Sequence, residues 1–179
     1  MSKNIISKLH AALPAVEKTL FQQPSVAAAA SVVTQSNPLQ DLFGRNHTYL
    51  RVSLTERCNL RCTYCMPEQG VKLTSNEKLL TGPEIVRLVG FFARLGVDKV
   101  RFTGGEPLVR KDCVEIVREV GRVDGLRHMA MTTNGILLGR RVAELRQHGL
   151  TQLNVSLDTL EEKKFEFIAK RKGWHKVMA

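Results

Sequence analysis

The stretch "RVSLTERCNLRCTYC", Arg51–Cys65, joins two unlike patterns. Its first four residues alternate polar and apolar, as a half-buried strand does. The rest places Cys58, Cys62 and Cys65 within eight residues, three of the four cysteines in the chain. A closed zinc site takes four protein ligands, and a disulfide framework pairs its thiols in even numbers. Three clustered thiolates instead suit a metal or redox centre that keeps one position open. The turn from strand into cysteine segment also dictates what must surround it, because ligand sites of α/β folds form beyond the carboxyl ends of parallel strands.

Downstream, strand-like and helix-like segments alternate. The strand "YLRVSL" (Tyr49–Leu54) is followed by a helix over "TGPEIVRLVGFFARLG" (Thr81–Gly96), with Thr81 as its cap. Then come a strand at Val97–Thr103, a helix at Lys111–Val123, a strand at "RHMAMTT", a helix at "GRRVAELRQHG", a strand at "TQLNVSLD" and a helix opening at "EEKKFEFIAK". This order predicts an α/β fold with a parallel sheet and right-handed crossovers. The strands are not apolar throughout. Leu50, Val52 and Leu54 alternate with Arg51, Ser53 and Thr55. Val100 and Phe102 alternate with Arg101 and Thr103, and Leu153, Val155 and Leu157 with Asn154, Ser156 and Asp158. One sheet face is therefore expected to take the helices, while the other, polar and partly cationic, lines a cavity.

Three further loops fall on the rim that carries the cysteines: "TGGEPL" (Thr103–Leu108), "TTNG" (Thr132–Gly135) and "SLD" (Ser156–Asp158). Each taken singly reads as an ordinary turn. Cys113 reads as a small buried helix residue, and the five histidines have no ligand spacing. A zinc module that adds His47 to the three thiolates is the rival metal reading. Trp174 and the run "KRK" read as a helix exit and a solvated surface.

The chain has 179 residues and a net charge of +10, which favours anionic partners. No zinc-finger or RNA-binding signature directs that charge to DNA or RNA, leaving a phosphorylated small molecule as the sharper reading. No apolar run reaches the ~20 residues that span a bilayer. Residues 1–40 differ in texture from residues 41–179. They are basic, rich in Ser and Ala, and carry Glu17 as their one acidic residue before Asp41. Such a leader is expected to be a mitochondrial transit peptide or a disordered tail.

The spacing CxxxCxxC in "CNLRCTYC" resembles that of the radical S-adenosylmethionine (SAM) enzymes, and "GGEPL" resembles their methionine-binding turn. With "RVSLTERCNLRCTYCMP", "KVRFTGGEPLVRKD", "TTNG" and "LNVSLD" in this order, the chain is similar, over about Leu39 to Ala179, to the GTP 3′,8-cyclases of molybdenum-cofactor biosynthesis in their eukaryotic A-type form. The resemblance implies a partial (β/α) barrel, the first four βα units of about six. It implies a [4Fe–4S] cluster on Cys58, Cys62 and Cys65, with SAM on the open iron. It further implies SAM contacts at Tyr64, Gly105 and Ser156, GTP contacts at Arg51, Arg101 and Thr132, and a triphosphate contact at Lys99.

In that family a 5′-deoxyadenosyl radical takes hydrogen from the ribose C3′ of GTP, and the new radical attacks guanine C8, a lyase reaction that needs an external one-electron reductant. A downstream pyranopterin-forming partner and the mitochondrial matrix are implied as well, with the cytoplasm as the alternative. A homodimer is left open. The cysteines of the family's second [4Fe–4S] site are not in this sequence. A truncated, weakly active or inactive form is therefore expected, with another radical SAM enzyme or a non-catalytic short isoform as the alternatives.

Overall fold

The computed structural model describes residues 37–179; the leader assigned to residues 1–40 lies almost wholly outside the described residues. Four strands form one sheet: β1 (Tyr49–Ser53), β2 (Lys99–Thr103), β3 (His128–Thr133) and β4 (Gln152–Val155). All neighbours are parallel and their spatial order is 1-2-3-4, the order in the chain. In doubly wound sheets the strand order reverses and helices cover both faces. Here it never reverses, so right-handed crossovers carry successive helices to the same side. This is the arrangement of a (β/α) barrel segment.

The helices are α1 (Gly82–Arg94), α2 (Cys113–Val120), α3 (Val142–Gln147), α4 (Glu162–Ala169) and α5 (Trp174–Met178). The first starts where the sequence predicts. The Thr81 hydroxyl accepts from the Glu84 N–H at 3.4 Å, and the Glu84 carboxylate accepts from the Thr81 N–H at 2.8 Å. Ile85 and Val89 of α1, Ile116, Val117 and Val120 of α2, and Leu145 of α3 are buried against Val100, Phe102, Met129 and Met131 of the central strands. Burial of Phe102, wholly removed from solvent, contributes about 2–3 kcal/mol.

Two expectations are corrected here. The apolar residues of β4 do not join this core: Leu153 and Val155 are each 41% exposed. The helix that follows them is used elsewhere. Phe165 and Ala169 of α4 pack with Leu60 beneath the cysteine segment, and Cys58, Cys62, Ile136, Leu157 and Trp174 complete that second cluster. Trp174 is thus no helix exit but the first residue of α5, held inward by this packing. No helix of the described residues is long and apolar enough to cross a membrane.

Candidate functional site

Past the end of β1 the backbone stays paired to the segment that follows β2. Leu54 N–H donates to the Thr103 carbonyl at 2.9 Å, Gly105 N–H to Thr55 at 2.7 Å and Glu106 N–H to Arg57 at 2.8 Å. This close run requires glycine. A Cβ on Gly104, where φ is +149°, would lie 2.5 Å from the Thr55 carbonyl oxygen, and one on Gly105 would lie 2.4 Å from that of Arg57. The glycine pair therefore seats the chain that carries the cysteines, whatever else it contacts.

Glu106 locks the neighbouring loops together. It is 1% exposed, and its carboxylate accepts from Leu108 N–H at 3.0 Å, the Thr133 hydroxyl at 2.8 Å and Asn134 N–H at 2.7 Å. The side chain of Asn134 continues the link, donating to Asn59 Oδ1 at 2.7 Å and approaching Cys58 Sγ at 3.9 Å. Thus the loop after β3 is tied through one buried carboxylate to the loop after β2, and directly to the cysteine segment.

The cysteine segment is also anchored from below. Arg61 and Thr63 donate their N–H groups to the carbonyls of Ala169 and Ile168 at 2.9 and 3.0 Å. These are carbonyls of the last turn of α4, which have no partner within the helix. The Arg61 guanidinium closes the segment on itself through the Cys58 and Leu60 carbonyls, at 2.8 and 2.7 Å. All three cysteines are free thiols: Cys58 and Cys62 are half-buried and Cys65 is exposed. Leu60 N–H points at Cys58 Sγ from 3.4 Å. Burial raises the Cys58 pKa and, with the charge of Cys65, pushes that of Cys62 up to about 11.

Three clustered thiols are soft donors of the kind an iron–sulfur cluster takes. Among the described residues, no three His, Cys, Asp or Glu side chains gather as ligands of one metal. Soft donors with N–H groups directed at sulfur suit cluster chemistry. His47, the outside ligand of the zinc reading, precedes β1 while the cysteines follow it, so the length of the strand, roughly 13 Å for five residues, lies between them. Anaerobic reconstitution with iron and sulfide is expected to load about four of each per chain, and Cys62→Ala is expected to abolish loading. One equivalent of zinc with no iron would overturn the expectation of a cluster.

Two of the predicted SAM contacts, Tyr64 within the cysteine segment and Ser156 just past the end of β4, lie on the same rim. Tyr64 donates its hydroxyl to Asp158 Oδ2 at 2.9 Å, which joins the loops after β1 and β4, the outer strands of the sheet. Desolvation of the hydroxyl and then the Asp158 carboxylate raise the Tyr64 pKa, so the phenol remains a donor. Ser156 leaves β4 with its N–H on the Thr133 carbonyl at 2.8 Å and its side chain exposed.

The predicted nucleotide contacts lie on the polar face of the sheet. Arg51 and Arg101 are directly opposite in the β1–β2 register, and Tyr49 is opposite Lys99. Arg101 donates from Nη1 to the Thr132 hydroxyl at 3.2 Å and from Nε to the Tyr49 hydroxyl at 2.7 Å. The Lys99 ammonium stands 5.5 Å from the centre of the Tyr49 ring. No described carboxylate pairs with Arg51, Lys99 or Arg101. A separate cavity of about 340 Å³, lined by Leu108, Cys113, Leu137 and Arg141 among others, contains none of the predicted site residues.

Tyr49, Glu106, Asn134 and Asp158 contact the predicted site residues or their loops, and sequence reasoning did not single them out. All four lie inside stretches it marked, but their partners are distant in the chain. Glu106 carried the one available signal, an acidic residue enclosed by glycine, proline and apolar residues.

The Radical SAM superfamily profile matches residues 52–179. "Molybdenum cofactor biosynthesis protein 1" of Homo sapiens is 58% identical over 140 residues, which cover 78% of this chain and 22% of that protein. "GTP 3′,8-cyclase, mitochondrial" of Arabidopsis thaliana is 54% identical over 160 residues, covering 86% of this chain and 41% of that one. The chain therefore spans well under half the length of these curated relatives. Among solved structures, Streptococcus suis SuiB bound to S-adenosylmethionine matches with a TM-score of 0.58 at 19% identity, over 70% of this chain and 28% of that one. At that identity the likeness establishes the fold.

Proposed function

The chain belongs to the radical SAM superfamily, and on that footing we propose that it carries the cluster- and nucleotide-binding portion of a GTP 3′,8-cyclase of molybdenum-cofactor biosynthesis, a lyase that forms (8S)-3′,8-cyclo-7,8-dihydroguanosine 5′-triphosphate. The observation that carries this reading is the group of three cations on the polar sheet face. Like charges on directly opposed strand positions, about 4.8 Å apart, destabilise a sheet. Arg51 faces Arg101 in this way with Lys99 close by, and no described carboxylate offsets them. Such a face is explained by an anionic ligand of several charges, and guanidinium groups fork onto phosphate oxygens. The names of the relatives supply the guanine nucleotide.

In this reading Cys58, Cys62 and Cys65 hold the cluster, which when bound supplies the electron that cleaves SAM to the hydrogen-abstracting radical. Tyr64, Gly105 and Ser156 border SAM on the rim. Arg51, Lys99, Arg101 and Thr132 take the triphosphate below it, orienting the ribose toward the rim. The electron comes from an external reductant, and the product passes to a downstream pyranopterin-forming partner. The basic leader and the mitochondrial relative support residence in the mitochondrial matrix.

The test is binding. Arg101→Ala removes charge-assisted hydrogen bonds of about 1.5–3 kcal/mol. It is expected to weaken GTP binding ten- to a hundredfold in calorimetric titration while leaving iron loading intact. Unchanged GTP affinity would overturn the assignment.

A further inference from the structure

We propose that Tyr49 is a positioning residue for the anion-binding guanidinium of Arg101, holding that group flat across the sheet face before the triphosphate arrives. The proposal rests on the reading of this face as the nucleotide site. Arg101 lies on β2, and its two anchors lie on the strands either side: Tyr49 on β1, at 2.7 Å from Nε, and Thr132 on β3, at 3.2 Å from Nη1. A guanidinium has five N–H donors in one plane. Two anchors on opposite sides fix that plane and leave three donors, one on Nη1 and two on Nη2, for a ligand.

The chemistry of the anchors matters as much as their place. A carboxylate would hold Arg101 more tightly but cancel its charge. Both anchors here are neutral hydroxyls, so the side chain is ordered and its charge remains available. The Tyr49 ring has a second use, because the Lys99 ammonium stands over it at 5.5 Å. The negative face of an aromatic ring attracts a cation. Tyr49 therefore organises two of the three cations without neutralising either. It is 44% exposed and lies outside the main core, so its hydroxyl is not needed for packing.

Without the hydroxyl, Arg101 keeps its charge but loses its shorter anchor, and ordering it falls to the ligand. Immobilising one such side chain corresponds to about a three- to tenfold loss of affinity. The experiment is calorimetric titration of the full chain with GTP and with inorganic tripolyphosphate, at fixed ionic strength, for the unsubstituted protein, Tyr49→Phe, Arg101→Ala and the double variant. Tyr49→Phe retains the ring beneath Lys99 and removes only the hydroxyl. It is expected to weaken both probes by the same three- to tenfold factor with an unchanged thermal midpoint, and to cause no further loss when Arg101 is already alanine.

Full affinity in Tyr49→Phe, alongside a loss in Arg101→Ala, would overturn the proposal and leave the nucleotide reading standing. An equal loss from Tyr49→Phe with and without Arg101 would also overturn it, since Tyr49 would then act independently of the arginine. No effect of Arg101→Ala, or no binding of either probe by the unsubstituted chain, would sink the nucleotide reading itself.

Discussion

Gly105→Ala is expected to unseat the cysteine segment and abolish iron loading, although the substitution touches no cysteine. The added Cβ would stand 2.4 Å from the Arg57 carbonyl oxygen and 2.7 Å from that of Glu56, both backbone atoms that no rotamer change can move. Relief requires the chain after β1 to separate from the loop after β2, breaking the bonds from Gly105 to Thr55 and from Glu106 to Arg57. Overpacking of this kind costs about 3 kcal/mol, a large share of the stability of an ordinary domain. The loss falls on the segment that bears Cys58, so iron and sulfide content after reconstitution should drop toward zero while the sheet still melts cooperatively. Gly44→Ala is the control. A Cβ there meets nothing within 4 Å and strains only the φ of +79°. That costs about 1–2 kcal/mol and should leave loading unchanged. Normal iron content in Gly105→Ala would show that the contact relaxes without moving the cysteines.

Glu106→Ala should have an equal or larger effect on stability by the opposite route. Here an acceptor disappears and three donors are left behind: the Leu108 and Asn134 N–H groups and the Thr133 hydroxyl. Thr133 is 2% exposed and Asn134 9% exposed, so water cannot readily replace the carboxylate. Stranded buried donors cost about 1–3 kcal/mol each, and a total of about 4 kcal/mol follows once some relaxation is allowed. The thermal midpoint should fall by roughly 10 °C. Glu106→Gln keeps the shape and one oxygen but turns an NH2 group toward one of the three donors, so an intermediate loss is expected. If alanine and glutamine variants melt with the unsubstituted protein, the carboxylate is not the link between the two loops.

Both residues belong to "TGGEPL", a stretch that the sequence marks for its glycines and its place after a strand. Sequence reasoning treated it as a turn and, through the family resemblance, as a ligand contact. The tertiary structure adds a mechanical role. The glycines admit a second backbone, and the glutamate gathers donors from the next loop. That role depends on residues 55–57 and 133–134, which no local pattern in the stretch reveals. Trp174 illustrates the reverse error. An aromatic residue after a basic run and a glycine looks like a helix exit, but the apolar residues beneath the cysteine segment draw it inward.

The sequence by itself determined the four strands and the helices between them, their alternation, the apolar face of the central strands, and the clustering of three thiols past the first strand. These follow from periodicity, spacing and side-chain chemistry, all encoded over a few consecutive residues. Even the matched heights of Arg51 and Arg101 could be anticipated, since short parallel strands in chain order leave few registers open. Only the tertiary structure decided which distant groups meet around the candidate site. Tyr49 meets Arg101 across 52 positions, and Tyr64 meets Asp158 across 94. The helix after β4 leaves its own strand partly exposed to support the cysteine segment. Those pairings arise when the sheet brings distant loops to one rim, where buried donors, acceptors and apolar surfaces must find partners among whatever neighbours the packing supplies.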